Sequence, residues 1–132
     1  VMTAQAADIR AAKYGRLRGL KSPAGGAWEK LSDGTYKYHF AEGLEATDYW
    51  LEIDGTWYYF GHDNIMQTGW VKDDGNWYYM DLKTGALFTG WHYINGKWYY
   101  FNEAGDGFKG TLFVNCETPD GYTVDVNGAL VE

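Results

Sequence analysis

Six tryptophans fall into two columns, one at Trp50, Trp70 and Trp91 and the other at Trp57, Trp77 and Trp98, so one pattern recurs every 20 to 21 residues. A fixed period of that size marks a chain built by stacking one small supersecondary unit, with no single large core. Each copy reads as a Trp, a short run, a turn dipeptide and then Trp-Tyr-Tyr, with the turn at Asp54-Gly55, Asp74-Gly75 and Asn95-Gly96. Asp-Gly and Asn-Gly between strand-like runs predict two-residue hairpin turns, because both turn positions need positive φ. The unit is therefore a β-hairpin.

The turn also sets which residues share a face. With the register fixed at Asp74-Gly75, Trp70, Lys72, Trp77 and Tyr79 lie on one side of the hairpin, and Val71, Tyr78 and Met80 on the other. The second set, with Leu51, Ile53, His92 and Ile94 in the sister copies, reads as the inner face. The Trp set travels with Glu52, Lys72 and Tyr93 and reads as the wet face. Tyr58, Tyr78 and Tyr99 are thus expected to be more buried than Trp57, Trp77 and Trp98. Aromatic rings held beside charges on a rigid repeated scaffold suit a binding surface.

Strands are expected at 50–53, 57–60, 70–73, 77–80, 91–94 and 98–101. The organisation reads as an N-terminal helical segment and linker over 1–26, then a repeat region over 27–132. That region divides into a degenerate repeat at 27–47, full repeats at 48–68, 69–89 and 90–109, and a C-terminal cap at 110–132. The first copy has Trp28 in the first column, Asp33-Gly34 in the turn and Tyr36-Lys37-Tyr38 in place of Trp-Tyr-Tyr, with one extra residue before the turn. The connections lead into a third apolar column at Met66, Leu87 and Phe108. The fold class is all-β, a β-hairpin solenoid with little helix after residue 25.

Composition removes several function classes. A net charge of −7 and the lack of any basic cluster disfavour nucleic acid. No stretch is apolar and long enough to predict membrane insertion. Cys116 is the only cysteine, which excludes an internal disulfide and reads as a half-buried strand residue. His39, His62 and His92 lack metal-ligand spacing, and acidic pairs such as Asp73-Asp74 sit in turns, where Asp serves turn geometry. No catalytic residue, metal ligand or cofactor motif is found, so the reading is a non-enzyme.

The repeated Trp-x6-Trp-Tyr-Tyr core with its Gly turn, and the Gly85-Ala86-Leu87 signature, resemble the choline-binding or cell-wall-binding repeats of Gram-positive surface proteins, related to glucan-binding and toxin repeats. The resemblance covers residues 28–132. It implies ligand boxes between successive hairpins, each made of two Trp from one repeat, a Tyr from the next and an apolar floor. Carried over by position, one box is Trp50, Trp57 and Tyr79 above Met66, and a second is Trp70, Trp77 and Tyr100 above Leu87. A third starts from Trp91 and Trp98 and has no evident aromatic from the cap; Trp28 and Tyr36 point toward Tyr59. The implied partner is choline or phosphocholine of teichoic acid, or else a cell-wall or host polysaccharide, for a module secreted and held at the cell wall. Three readings stay open: a choline-binding anchor, a carbohydrate-binding module whose rings stack on sugars, and a structural stalk.

Overall fold

The computed structural model describes residues 25–40, 43, 45–47, 50–104 and 109–132. The helix expected near the N-terminus and Phe108 of the third apolar column lie outside them. The described residues are all-β, a succession of antiparallel hairpins of the kind that builds a β-hairpin solenoid. In chain order the strands are β1 (Ala27–Lys30), β2 (Tyr36–His39), β3 (Trp50–Ile53), β4 (Thr56–Tyr59), β5 (Gly69–Asp73), β6 (Asn76–Met80), β7 (Gly90–Ile94), β8 (Lys97–Phe101), β9 (Cys116–Glu117) and β10 (Thr123–Val124). Each strand pairs with its immediate neighbour in sequence, giving five two-stranded sheets. The six strands expected from the repeats agree with β3 to β8 to within a residue at each end.

The turns explain why these segments are hairpins. Asp54, Asp74 and Asn95 have φ of 51°, 50° and 48°, and the glycines that follow have 83°, 82° and 87°, so both turn residues are left-handed, as a type I′ turn requires. Register then follows: Trp50 pairs with Tyr59 and Glu52 with Trp57, and Trp91 pairs with Tyr100 and Tyr93 with Trp98. The extra residue in the first copy is absorbed by a longer loop. Leu31 N–H donates to Thr35 O across Ser32-Asp33-Gly34, Gly34 takes φ 87°, and Asp33 Oδ1 accepts from the Thr35 amide and hydroxyl.

The described residues form two compact units, one holding 25–69 and 80–86 and the other 70–79 and 87–132. In the first, Tyr38, Phe40, Ala46, Leu51, Ile53, Phe60 and Met66 make a continuous buried cluster, with Tyr36 and Tyr58 packed against it. In the second, Tyr79, Ile94 and Phe101 are buried, with Phe88, Tyr99 and Leu112 around them. Both clusters are ring-rich, which suits a chain of hairpins with no single large core.

Burial follows the two-face split only in part, since Trp50, Tyr79 and Tyr100, on the face expected to be wet, are buried, and His92, on the other, is half-buried. Leu51, Val71, Ile53 and Ile94 are buried, while Lys72 and Tyr93 are exposed. Tyr78 is buried beside a Trp77 that is 42% exposed, and Tyr99 is half-buried beside a Trp98 that is also 42% exposed. The second repeat inverts the order: Trp57 is buried and Tyr58 only half-buried. Tyr58 packs edge-on against Trp28, which belongs to the fully exposed strand β1, so its cover is incomplete. Cys116, expected to be half-buried, is exposed because its strand is a two-residue ladder of the cap.

The connections use a common device. Met66 N–H donates to Tyr36 O in the first unit, and Leu112 N–H donates to Trp77 O in the second. Phe60 bridges Met66 and Phe101 bridges Leu112 in the same way. Each of these apolar side chains then lies on a glycine of the following connection. A Cβ on Gly85 would overlap the Met66 sulfur, and one on Gly128 would sit 2.7 Å from Leu112 Cδ2. Both glycines also have positive φ, so a side chain there is disfavoured twice.

Candidate aromatic-box site

Strand alternation gives every hairpin two different aromatic faces. In β7 and β8, Trp91, Trp98 and Tyr100 share one face, and Tyr99, opposite His92, occupies the other. Tyr99 therefore points away from Trp91 and Trp98.

In the second unit this places Tyr99 against Trp70. The Trp70 ring centroid lies 6.2 Å from Trp77, 5.1 Å from Tyr79, 5.0 Å from Tyr99 and 5.9 Å from Phe101. Trp70 and Trp77 meet edge to face at 89°, and with Tyr99, Leu112 and Asn127 they line an open cleft of about 320 Å³. The same constellation occurs within the first unit. There Trp28 lies 6.3 Å from Tyr36, 5.2 Å from Tyr38, 4.9 Å from Tyr58 and 5.8 Å from Phe60. Tyr36 replaces the second Trp, and Met66, bonded through its amide to Tyr36, stands where Leu112 stands.

Within each unit the rings that meet differ from those grouped by position in the sequence. Trp70 and Trp77 do come together, but their third ring is Tyr99 and not Tyr100, and their apolar side is Leu112 and not Leu87. Tyr100 lies on the opposite face, packed at 5.2 Å on Trp91 and 5.0 Å on Phe113. Leu87 sits over Gly110, whose Cβ would be 2.6 Å from Leu87 Cδ1. Choosing the last Tyr of the triplet is a one-residue slip, and in a strand that changes the face. Trp28 and Tyr36 likewise meet Tyr58, not Tyr59. Trp50 and Trp57 are buried in the first unit, Trp50 at 4.8 Å from Tyr59, while Met66 joins the Trp28 constellation. Tyr79 belongs to the second unit, where it packs on Trp70 and Phe88.

The third site has the aromatic the sequence reading missed. Trp91, Trp98, Tyr122, Leu130 and Asp120 line a cleft of about 400 Å³, with Tyr122 edge-on to Trp91 at 5.8 Å. Leu130 N–H donates to Trp98 O at 2.9 Å, the bond that Leu112 makes to Trp77 O at 2.8 Å. The cap thus supplies a Tyr and a Leu in the places held elsewhere by a hairpin and its connection. The available signal was Asp120-Gly121-Tyr122, a turn followed by an aromatic in the phase of the repeat.

Polar groups hold the rings in place. Trp91 Nε1–H donates to Asp120 Oδ2 at 2.8 Å, and Tyr100 O–H donates to Glu103 Oε1 at 2.8 Å. Thr118 and Trp91 donate to Asp120 and hold its carboxyl below the ordinary carboxylate range. Burial, followed by the Glu103 contact, pushes the Tyr100 phenol up to about 12 from 10.0. Because the folded value is the higher one, Tyr100 contributes stability that is complete below about pH 10 and is lost as pH rises through about 12. In an alkaline unfolding series, Tyr100→Phe is expected to flatten the fall in stability across that window. An unchanged alkaline limb would contradict the assignment.

Apart from the boxes, Glu29, His39 and Glu45 gather in the first unit. His39 Nε2 is 2.6 Å from Glu29 Oε1, and Nδ1 is 3.8 Å from Glu45 Oε2. Glu45 also accepts from Asn64 Nδ2 at 2.7 Å and lies 3.5 Å from Lys37 Nζ. This cluster joins β1, β2 and the following connections. Among the described residues no helix is long and apolar enough to cross a membrane.

Comparison with known proteins places the chain beside cell-wall-binding repeats. Residues 46–89 match the family model described as a choline-binding repeat, and residues 89–106 match one described as a cell wall binding repeat. Choline binding protein F from Streptococcus pneumoniae, crystallised in the presence of a peptidoglycan analogue, is 35% identical over 80% of this chain and 33% of its own, with a TM-score of 0.69. The same protein in complex with ipratropium gives 34% identity over 80% of this chain and 32% of its own, with a TM-score of 0.70. The choline binding domain of Spr1274 from Streptococcus pneumoniae is 39% identical over 63% of this chain and 93% of its own, with a TM-score of 0.54. The chain spans about a third of the length of choline binding protein F. Among curated protein sequences none matches the chain.

Proposed function

We propose, since this chain belongs to the choline-binding repeat family, that its aromatic boxes hold choline groups of cell-wall teichoic acid and so attach the protein that carries it to the bacterial surface. Repeats of this family are binding modules with a cell-wall role. The observation that carries the choline reading is the pair of open clefts at Trp70, Trp77 and Tyr99 and at Trp91, Trp98 and Tyr122, each walled by three ring faces or edges.

The chemistry of that ligand suits such a site. A quaternary ammonium donates no N–H hydrogen bond, so ring quadrupoles and close apolar fit are what can retain it. At about 1 to 2 kcal/mol per desolvated ring, three rings give roughly 3 to 6 kcal/mol, a range that brackets the value of about 4 kcal/mol for millimolar affinity. One such site is weak, and several on one chain facing a polymer with many choline groups gain by effective concentration. Ipratropium, bound by choline binding protein F, is also a quaternary ammonium.

Retention on a choline-bearing matrix, with release by free choline, is the expected result. Passage through that matrix together with retention on a glucan would replace this reading with the carbohydrate-binding one.

A further inference from the structure

The two open clefts of the second unit share one plan, but the charges around them differ. At Trp70, Trp77 and Tyr99 the polar lining residue is Asn127, an uncharged amide, and Lys72 Nζ lies 5.8 Å from the Trp77 ring centroid. At Trp91, Trp98 and Tyr122 the polar lining residue is Asp120. The position of Lys72 is taken there by Tyr93, whose ring lies 5.3 Å from Trp98 and brings no charge. We propose that these two sites discriminate charge differently, with Asp120 making the Trp91 site selective for cations and Lys72 making the Trp70 site tolerant of uncharged apolar ligands of the same shape. This rests on the cation-binding reading above and adds which site carries the selectivity.

Asp120 is built to act as a fixed charge. One carboxylate oxygen accepts from Thr118 Oγ1 and the other from Trp91 Nε1, so the group stands at the edge of a ring that lines the site. Those donors favour its ionised form. A quaternary ammonium in the cleft gains from this charge through space, without needing a hydrogen bond. Lys72 does the opposite at the other site, since its ammonium already uses the Trp77 quadrupole and repels a second cation. Both charges are open to water, which limits each to roughly a three- to tenfold effect on affinity and makes it fall as salt is raised.

The test follows the indole N–H signals of Trp70, Trp77, Trp91 and Trp98 by nitrogen-resolved NMR while the whole chain is titrated with choline and, separately, with 3,3-dimethylbutanol, its neutral isostere. The expected preference for choline is roughly tenfold greater at Trp91 and Trp98 than at Trp70 and Trp77. Asp120→Asn retains an acceptor for Trp91 and is expected to weaken choline at that site about fivefold while leaving the isostere unchanged. Lys72→Gln is expected to strengthen choline at the Trp70 site. Equal preference at the two sites in the unaltered chain, or an Asp120→Asn loss shared equally by both ligands, would overturn the charge assignment while leaving ring binding intact. No response of any of the four indoles to either compound would overturn the ring-binding reading, and this assignment with it.

Discussion

Phe101→Ala is expected to cost the second unit about 3 to 5 kcal/mol, the range for emptying a large buried aromatic position. Phe101 is completely buried. Its ring lies 5.9 Å from Trp70 and 6.3 Å from both Phe88 and His92, and its backbone bridges Leu112. It therefore ties a hairpin, the connection after it and the back of a ligand ring together. Since a whole domain is stable by only about 5 to 15 kcal/mol, the loss is expected to lower the urea midpoint sharply. Phe101→Leu, which keeps much of the volume, is expected to cost distinctly less. A loss below about 1 kcal/mol for the alanine variant would mean that the unit does not depend on this ring.

The second large effect is on binding. Trp77→Ala is expected to remove the Trp70 site, because Trp77 supplies a whole wall of it while being 42% exposed. Loss of one ring contact of about 1 to 2 kcal/mol, with water admitted to the cleft, corresponds to roughly a 5- to 30-fold weakening of choline. Because the ring is so exposed, folding stability is expected to change little. Choline is expected to go on shifting the Trp91 and Trp98 signals unchanged, since Tyr122 and Leu130 complete that site independently. Trp77→Leu keeps apolar bulk without the ring quadrupole and is expected to lose binding as well. Full binding by the leucine variant would assign the site to apolar packing and not to the ring.

Much of this was legible in the sequence because turn chemistry and strand alternation are local. Asp54-Gly55, Asp74-Gly75 and Asn95-Gly96 fix a type I′ turn each, and from that turn the register of Trp50 with Tyr59 or Trp91 with Tyr100 follows by counting. The composition of the sites depends instead on which face of one hairpin meets the next, and counting along one hairpin does not supply that. Tyr99 and Tyr100 are chemically alike and adjacent, so the correct one emerges only once the Trp70 ring is in place. The floor residues were displaced for a similar reason. Leu112 reaches Trp77 from the connection after the next hairpin, a separation of 35 residues that repeat phase alone does not reveal. Tyr122 was missed because the cap drops the Trp-Tyr-Tyr signature while retaining the geometry around Leu130.

A crystal structure of the chain grown with choline decides whether the ring clefts hold the ligand. Trimethylammonium groups are expected in two places of the second unit, one among Trp70, Trp77 and Tyr99 beside Leu112, and one among Trp91, Trp98 and Tyr122 beside Leu130, with Asp120 the nearest carboxylate to the latter. Choline seated against Tyr100 and Glu103, or both ring clefts empty at saturating choline, would contradict this placement.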